Sequence, residues 1–389
     1  MVISRALLRL GHVQDAWPRD GLNPIHPTPR TAILLPSGCR FSAQAPNSME
    51  TVVRTLAGAV DHRNIRIFCC EGADDHGSPE VETLPAGNER RSALIRKVAV
   101  VRPDIVEHHQ QVKQAMAIAA ALPRAAHILY RHNALKPPLN VVDRWRYNAR
   151  YGGMDGFVFV SEAERRLFAR SYPRHADRAW AIPNPIDARL WLAPVENREP
   201  VIAFAGRAMP EKGVDVICAA LPGILDRHSG WRAVLMLNDW DRHGRWADPH
   251  IAPLERYGAR VSVFRSAPLS QVQGVMKSAA IALTPSVWDE PFGLTAVEAH
   301  AAGAALISSG RGGLREASGP HALFLNEVTP AALAEAIERL IGDPEERVAR
   351  ARAAQRFVLD EHSPERRAAE LLQVRQTVIL RRSARNPLR

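Results

Sequence analysis

Two glutamates, Glu290 and Glu298, stand with seven residues between them and the break Pro291-Phe292-Gly293 in the middle. Proline disfavours helix at the residue before it, and glycine frees the backbone after it. Glu290 is therefore expected on a loop, and Leu294 at the start of a helix that closes at Gly303. Amides of residues 293–295 would project from that helix's N-terminus, where unpaired N–H groups and the dipole favour a phosphate. Residues 304–307 read as a buried strand, and Gly310-Arg311-Gly312-Gly313 as a loop able to lie against a ligand. Either glutamate alone reads equally as an ordinary surface acid.

A second cluster changes that balance. Gly206-Arg207 and Pro210-Glu211-Lys212-Gly213 lie between an apolar strand over 201–204 and an apolar-periodic helix over 214–225. Strand-to-helix turns of this kind hold nucleotides. Arg207 offers a planar fork for phosphate oxygens and Lys212 a point charge, which is the chemistry needed to hold a diphosphate leaving group.

These residues, with Pro285-Ser286, Phe292-Gly293-Leu294, Gly312-Gly313 and Glu316, resemble in order and spacing the retaining nucleotide-sugar glycosyltransferases of glycosyltransferase family 4. The resemblance runs over about 201–316 and is weaker elsewhere. It implies an α/β chain of the GT-B fold, two Rossmann-like parallel-sheet domains facing each other across a cleft. It further implies transfer of a sugar from a UDP- or GDP-linked donor to the hydroxyl of a saccharide or lipid-linked acceptor, in polysaccharide, lipopolysaccharide or glycolipid biosynthesis, with no metal and no further cofactor. By the same resemblance Glu290 contacts sugar hydroxyls and Glu298 the ribose hydroxyls. Arg207 and Lys212 hold the diphosphate, Phe292, Gly293 and Leu294 form the donor loop, and His132, ending the strand over 127–133, lies near the transferred sugar and acceptor. The loop over 46–50, Pro46-Asn47-Ser48-Met49-Glu50, departs from the paired glycines usual in the family, and no binding role is assigned to it. A non-catalytic nucleotide-sugar binder, and an epimerase or phosphorylase on the same fold, are the alternatives.

The elements that must position these groups follow from composition and order. At 389 residues and 46% apolar composition the chain can bury two sizeable cores. Strands alternate with helices from residue 31, and the alternation restarts at Val201. The division expected is a loose extension over 1–30, an acceptor-side domain over 31–185, a nucleotide-sugar domain over 186–362, a helix over 363–380 crossing back to the first domain, and a basic tail over 381–389. The net charge is +10. It is diffuse, and no zinc finger, RNP-like strand or basic heptad region accompanies it, which argues against nucleic acid as a partner. Cys39, Cys69, Cys70 and Cys218 have no C-x-x-C spacing and read as reduced packing thiols.

No run approaches a membrane-spanning length, and residues 1–11 lack a signal-peptide core, so a cytoplasmic protein is expected, with contact to the inner face of a membrane left open. That contact is suggested by Lys136, Arg144, Trp145, Arg146, Tyr147, Arg150 and Tyr151, basic and aromatic residues mixed with apolar ones over 136–151, which fit a membrane surface, an anionic acceptor or an ordinary helix face. Asp239-Trp240-Asp241 reads as part of a solvated loop over 238–249. His108 and His109 are weaker candidates than His132, and a metal on these three lacks a carboxylate or thiol at matching spacing. Oligomeric state is not legible.

Overall fold

Short, nearly continuous apolar runs become strands buried on both faces, as parallel sheets require. The computed structural model describes residues 28–42, 47–60, 62–70 and 80–385, so most of the extension expected over 1–30, and Pro46, lie outside the described residues. The first sheet contains β1 (Thr31–Leu34), β2 (Ile65–Cys70), β3 (Glu80–Leu84), β4 (Ile105–His109), β5 (Ala126–Arg131), β6 (Gly156–Phe159) and β7 (Ala179–Ala181). Its order is β3-β2-β1-β4-β5-β6-β7. The second contains β8 (Glu199–Arg207), β9 (Arg232–Asn238), β10 (Val261–Arg265), β11 (Ala279–Thr284), β12 (Ala305–Ser308) and β13 (Leu323–Phe324), in the order β10-β9-β8-β11-β12-β13. Every strand pair is parallel.

Each sheet reverses its winding direction once, between β1 and β4 and between β8 and β11. Open parallel sheets bind ligands outside the carboxyl ends of the strands at such switch points. In the second sheet those ends are Arg207 and Thr284, which places both sequence clusters at one crevice.

The two domains are joined by more than the linker. The Glu316 carboxylate, from the second domain, accepts hydrogen bonds from the amides of Glu162 and Ala163 at 2.7 Å each. These amides open the helix Glu162–Ser171 of the first domain, where a carboxylate meets unpaired N–H groups and the positive end of the dipole. The final helix, Pro364–Arg385, returns to the first sheet, where Arg375 holds Glu107 of β4 through two hydrogen bonds of 2.8 and 2.9 Å.

Three local expectations are corrected, over 46–50, 238–249 and 381–389, and β3 is an unforeseen edge strand whose glutamates Glu80 and Glu82 pair with Arg66. The loop expected over 238–249 is instead the helix Trp240–Ile251, because Gly244, Ala247 and Ile251 share one buried face that its charged residues mask in composition. The loop expected over 46–50 gives way to a helix, Ser48–Gly58, because Asn47 caps it: its side chain accepts from the amides of Met49 and Glu50, and Glu50 reaches back to the Asn47 amide. The basic tail expected from Arg381 continues as helix to Arg385, because Arg382 pairs with Asp155 and Arg381 donates to the carbonyl of Asp177.

Candidate active site

At the end of β8 the chain turns through Pro210–Lys212, and Gly213 follows at φ +70°. A Cβ there would sit 2.3 Å from the Pro285 carbonyl oxygen, so only glycine lets this turn close on the end of β11. The Val287 amide donates to the Glu211 carbonyl at 2.9 Å and locks the two loops together. That approach brings the Lys212 Nζ to 2.5 Å from Glu290 Oε1, and the Ser286 hydroxyl donates to the same oxygen at 2.6 Å.

The Glu290 backbone is fixed from the other side. It bridges Gly312 in parallel, and its carbonyl accepts from the Gly313 amide at 2.7 Å. A Cβ on Gly313 would lie 2.1 Å from the Pro291 oxygen, so the second glycine loop can approach only as glycine. Glu290 is 6% exposed, and its Oε2 has no hydrogen-bond partner among the described residues. A preorganised carboxylate oxygen is thereby left for a ligand.

The helix Leu294–Ala301 starts after Gly293 and puts Leu294, Thr295 and Glu298 on a cavity of about 650 Å³ between the domains. Gly206, Asn238 and Ser266 line it from the second domain, and Ser48, Thr51 and Thr55 from the first. Glu298 is part-buried and makes no hydrogen bond to a described side chain, and burial pushes its carboxyl up to about 7. The folded form therefore holds a proton between about pH 4.5 and 7 that the unfolded chain releases, and stability falls as pH rises through that window. Glu298→Gln is expected to raise the thermal midpoint at pH 8 and leave it little changed at pH 5, as a pair of melting curves will show.

Among the sequence candidates, Lys212 and Glu290 are brought into contact, Glu298 and Leu294 face the cavity, and Arg207 stands exposed at the end of β8 with no ion pair among the described residues. Gly293, at φ +111°, is the N-cap of the helix. The Phe292 ring is buried against His362, 5.6 Å between centroids, and so anchors the loop it was expected to form.

His132 lies on the first domain, in a stacked group with Tyr130 and His109. Its Nε2 is 2.8 Å from His109 Nδ1, and His109 Nε2 lies 4.0 Å from the Glu107 carboxylate that Arg375 holds. Burial and then the neighbouring His109 keep His132 well below the ordinary histidine range, so it is neutral at physiological pH. Gln110, which with Gln111 adopts a left-handed backbone after β4, accepts from the amides of His132 and Asn133 at 2.6 and 2.7 Å once its amide is oriented to fit them. His108 is turned to His127 instead, at 3.0 Å.

Sequence reasoning missed Ser48, Thr51, Asn238 and Ser266 on the cavity, and the support of His132 by His109, Glu107 and Arg375. Asn238 and Ser266 had a signal, since both sit just at or after strand ends on the switch-point side. Glu107 and Arg375 are 268 positions apart and had none.

Comparison with known proteins agrees with this architecture. Residues 49–190 match the family model for Glycosyltransferase Family 4, and residues 193–357 that for Glycosyl transferases group 1. Each model covers less than half of the chain, one on each domain, and both describe glycosyltransferases. An α-maltose-1-phosphate synthase of Mycolicibacterium smegmatis is 27% identical over 233 residues, 52% of this chain and 58% of that protein. A D-inositol 3-phosphate glycosyltransferase of Corynebacterium glutamicum is 32% identical over 154 residues, 38% of this chain and 36% of that protein. The matched stretches thus span less than two thirds of these relatives. Among solved structures, Anabaena HepE in complex with UDP and glucose superimposes with a TM-score of 0.72 at 17% identity, covering 89% of this chain and 98% of that one. The sucrose-phosphate synthase of Thermosynechococcus elongatus gives 0.75 at 18% identity, covering 90% and 99%. At such identities the likeness establishes the GT-B fold.

Proposed function

We propose that this chain is a retaining glycosyltransferase that moves a hexose from a UDP- or GDP-linked donor to the hydroxyl of a saccharide or lipid-linked acceptor. The observation that carries the proposal is the buried Glu290 carboxylate, fixed on one oxygen by Lys212 and Ser286 and open on the other, on the loop that leads into the helix Leu294–Ala301, whose Leu294, Thr295 and Glu298 line a cavity between two Rossmann-like domains. The relatives named above add support, since synthases and glycosyltransferases recur among them, and HepE was solved with UDP and glucose.

In this assignment the nucleotide occupies the interdomain cavity, with Glu298 accepting from the ribose hydroxyls and the first amides of the helix Leu294–Ala301 facing the diphosphate. As the bond from sugar to phosphate breaks, negative charge grows on the leaving group, and Lys212 and Arg207 supply the countercharge. Lys212 is stored against Glu290 until donor binds. Glu290 Oε2 takes a sugar hydroxyl. His132, neutral, donates through Nε2 to His109 Nδ1 if His109 directs its own Nε2–H toward Glu107, and this tautomer leaves His132 Nδ1 free to accept from a hydroxyl.

A calorimetric panel of UDP, GDP and ADP and their sugar conjugates tests the donor half. One nucleotide series is expected to stabilise the chain by about 2.7 kcal/mol at 100 times its dissociation constant, and Glu298→Gln to weaken that effect. Absence of stabilisation by every nucleotide would overturn the assignment.

A further inference from the structure

The helix Val141–Tyr151 carries the most exposed apolar surface in the described protein. Leu139 is 90% exposed, Val141 79%, Val142 62% and Trp145 71%. Val141, Trp145 and Ala149 recur every four residues with Val142 alongside, so they form one stripe along the helix. Arg146 and Arg150 border the stripe on one side and Arg144 on the other, and Lys136 lies just before it in the chain. None of these four cations forms an ion pair with a carboxylate among the described residues, whereas Arg165 and Arg166, on the next helix, are both taken up by Glu162.

The stripe is not a loosely held segment. Asn140 caps the helix by accepting from the Asp143 amide at 2.9 Å, and Tyr151 on the opposite side packs edge-on against Phe157, Phe168 and Tyr172. The outward face is therefore preformed and rigid. An apolar stripe with an interfacial tryptophan, bordered by unpaired arginines, matches the boundary of a bilayer with anionic headgroups, where acyl chains take the stripe and phosphates take the cations. A protein partner of matching acidity would meet the cations but has no need of a straight apolar stripe flanked by arginine on both sides.

We infer that this helix is a membrane-docking surface that lays Leu139, Val141, Val142 and Trp145 into the interface of an anionic bilayer, with Lys136, Arg144, Arg146 and Arg150 on the headgroups. The surface lies in the connection between β5 and β6 of the first sheet. The inference stands on the exposed face alone and does not depend on what the cleft transfers.

The test is cosedimentation of the full chain with vesicles of phosphatidylcholine alone and of phosphatidylcholine with phosphatidylglycerol. Binding to the anionic vesicles is expected, weakened by salt and much reduced on neutral ones. Val142→Ser with Trp145→Ser, and separately Arg144→Glu with Arg146→Glu, should each lower the partition coefficient at least about tenfold with an unchanged thermal midpoint. Arg242→Glu with Arg245→Glu, the same charge change on an exposed helix of the second domain, should lower it much less. No binding to anionic vesicles would overturn the inference. So would equal losses in both charge-reversal variants, which would assign binding to the diffuse net charge, and so would a self-associating chain that Trp145→Ser converts to monomer without any vesicle binding.

Discussion

Glu290→Ala is expected to lower glycosyl transfer by about 10²- to 10³-fold, and Lys212→Ala by a similar factor, the usual loss when one preorganised transition-state contact is removed. The two residues share a single contact, Lys212 Nζ to Glu290 Oε1, so the double variant should lose much less than the product of the two factors. Glu290→Gln separates chemistry from packing. It keeps the volume and the Ser286 hydrogen bond but removes the charge that faces Lys212, so its thermal midpoint should stay near that of the parent while its rate falls. Steady-state rates with the donor picked out by the nucleotide panel, measured beside melting curves, check all three. Full activity in both alanine variants would remove Glu290 and Lys212 from the site.

The second large effect concerns the return of the final helix to the first domain. Arg375 and Glu107 are 4% and 1% exposed and meet through two hydrogen bonds. Breaking a buried pair by removing one partner typically costs about 3–5 kcal/mol, because the other charge is left uncompensated. Arg375→Met should lose that much at pH 7, whereas Arg375→Met with Glu107→Leu should recover most of it. Burial by itself would raise the Glu107 carboxyl, but Arg375 more than reverses this and, with help from His109, holds it at about 2, against an ordinary 4.5. A depressed carboxyl contributes stability that is complete above the unfolded value and is lost as pH falls toward the folded one. The parent should therefore keep this contribution above about pH 4.5 and lose it toward pH 2, so its advantage over Arg375→Met should narrow as pH falls through that window, as urea titrations at several pH values will show.

The same pair explains what could and could not be read from the sequence. The second domain was legible because its chemistry is local. Arg207 and Lys212 flank one turn, Glu290 and Glu298 bracket one loop, and the glycines at 213, 293 and 313 sit where a Cβ would strike a backbone or side-chain neighbour. The restart of alternation at Val201 likewise marks a second parallel sheet, since buried strands such as β11 and β12 read as unbroken apolar runs. Contacts between distant segments leave no such trace. The support of His132 by His109 arises only when β4 and β5 pair, and the Glu316 carboxylate on the amides of Glu162 and Ala163 and the Ser48 and Thr51 face of the cavity only when the domains meet. Polar elements were missed for a related reason. β3 is an edge strand of mostly half-buried residues, two of them glutamates, and the helix Trp240–Ile251 hides three inward positions among charged ones. Phe292 shows the opposite case, a motif residue correctly placed in sequence whose side chain serves the core.

The central claim is that the buried Glu290–Lys212 pair, on the loop leading into the helix that lines the interdomain cavity, performs sugar transfer with retention of configuration. It is tested most directly by incubating the chain with the donor chosen by the panel and a hydroxyl acceptor, and following both the freed nucleoside diphosphate and the anomeric proton of the product by NMR. Release of one diphosphate per glycoside formed, with the product's anomeric configuration matching the donor's and the signal abolished in Glu290→Ala, is the result predicted. A product of inverted configuration, or donor bound but never consumed with any acceptor, would contradict it.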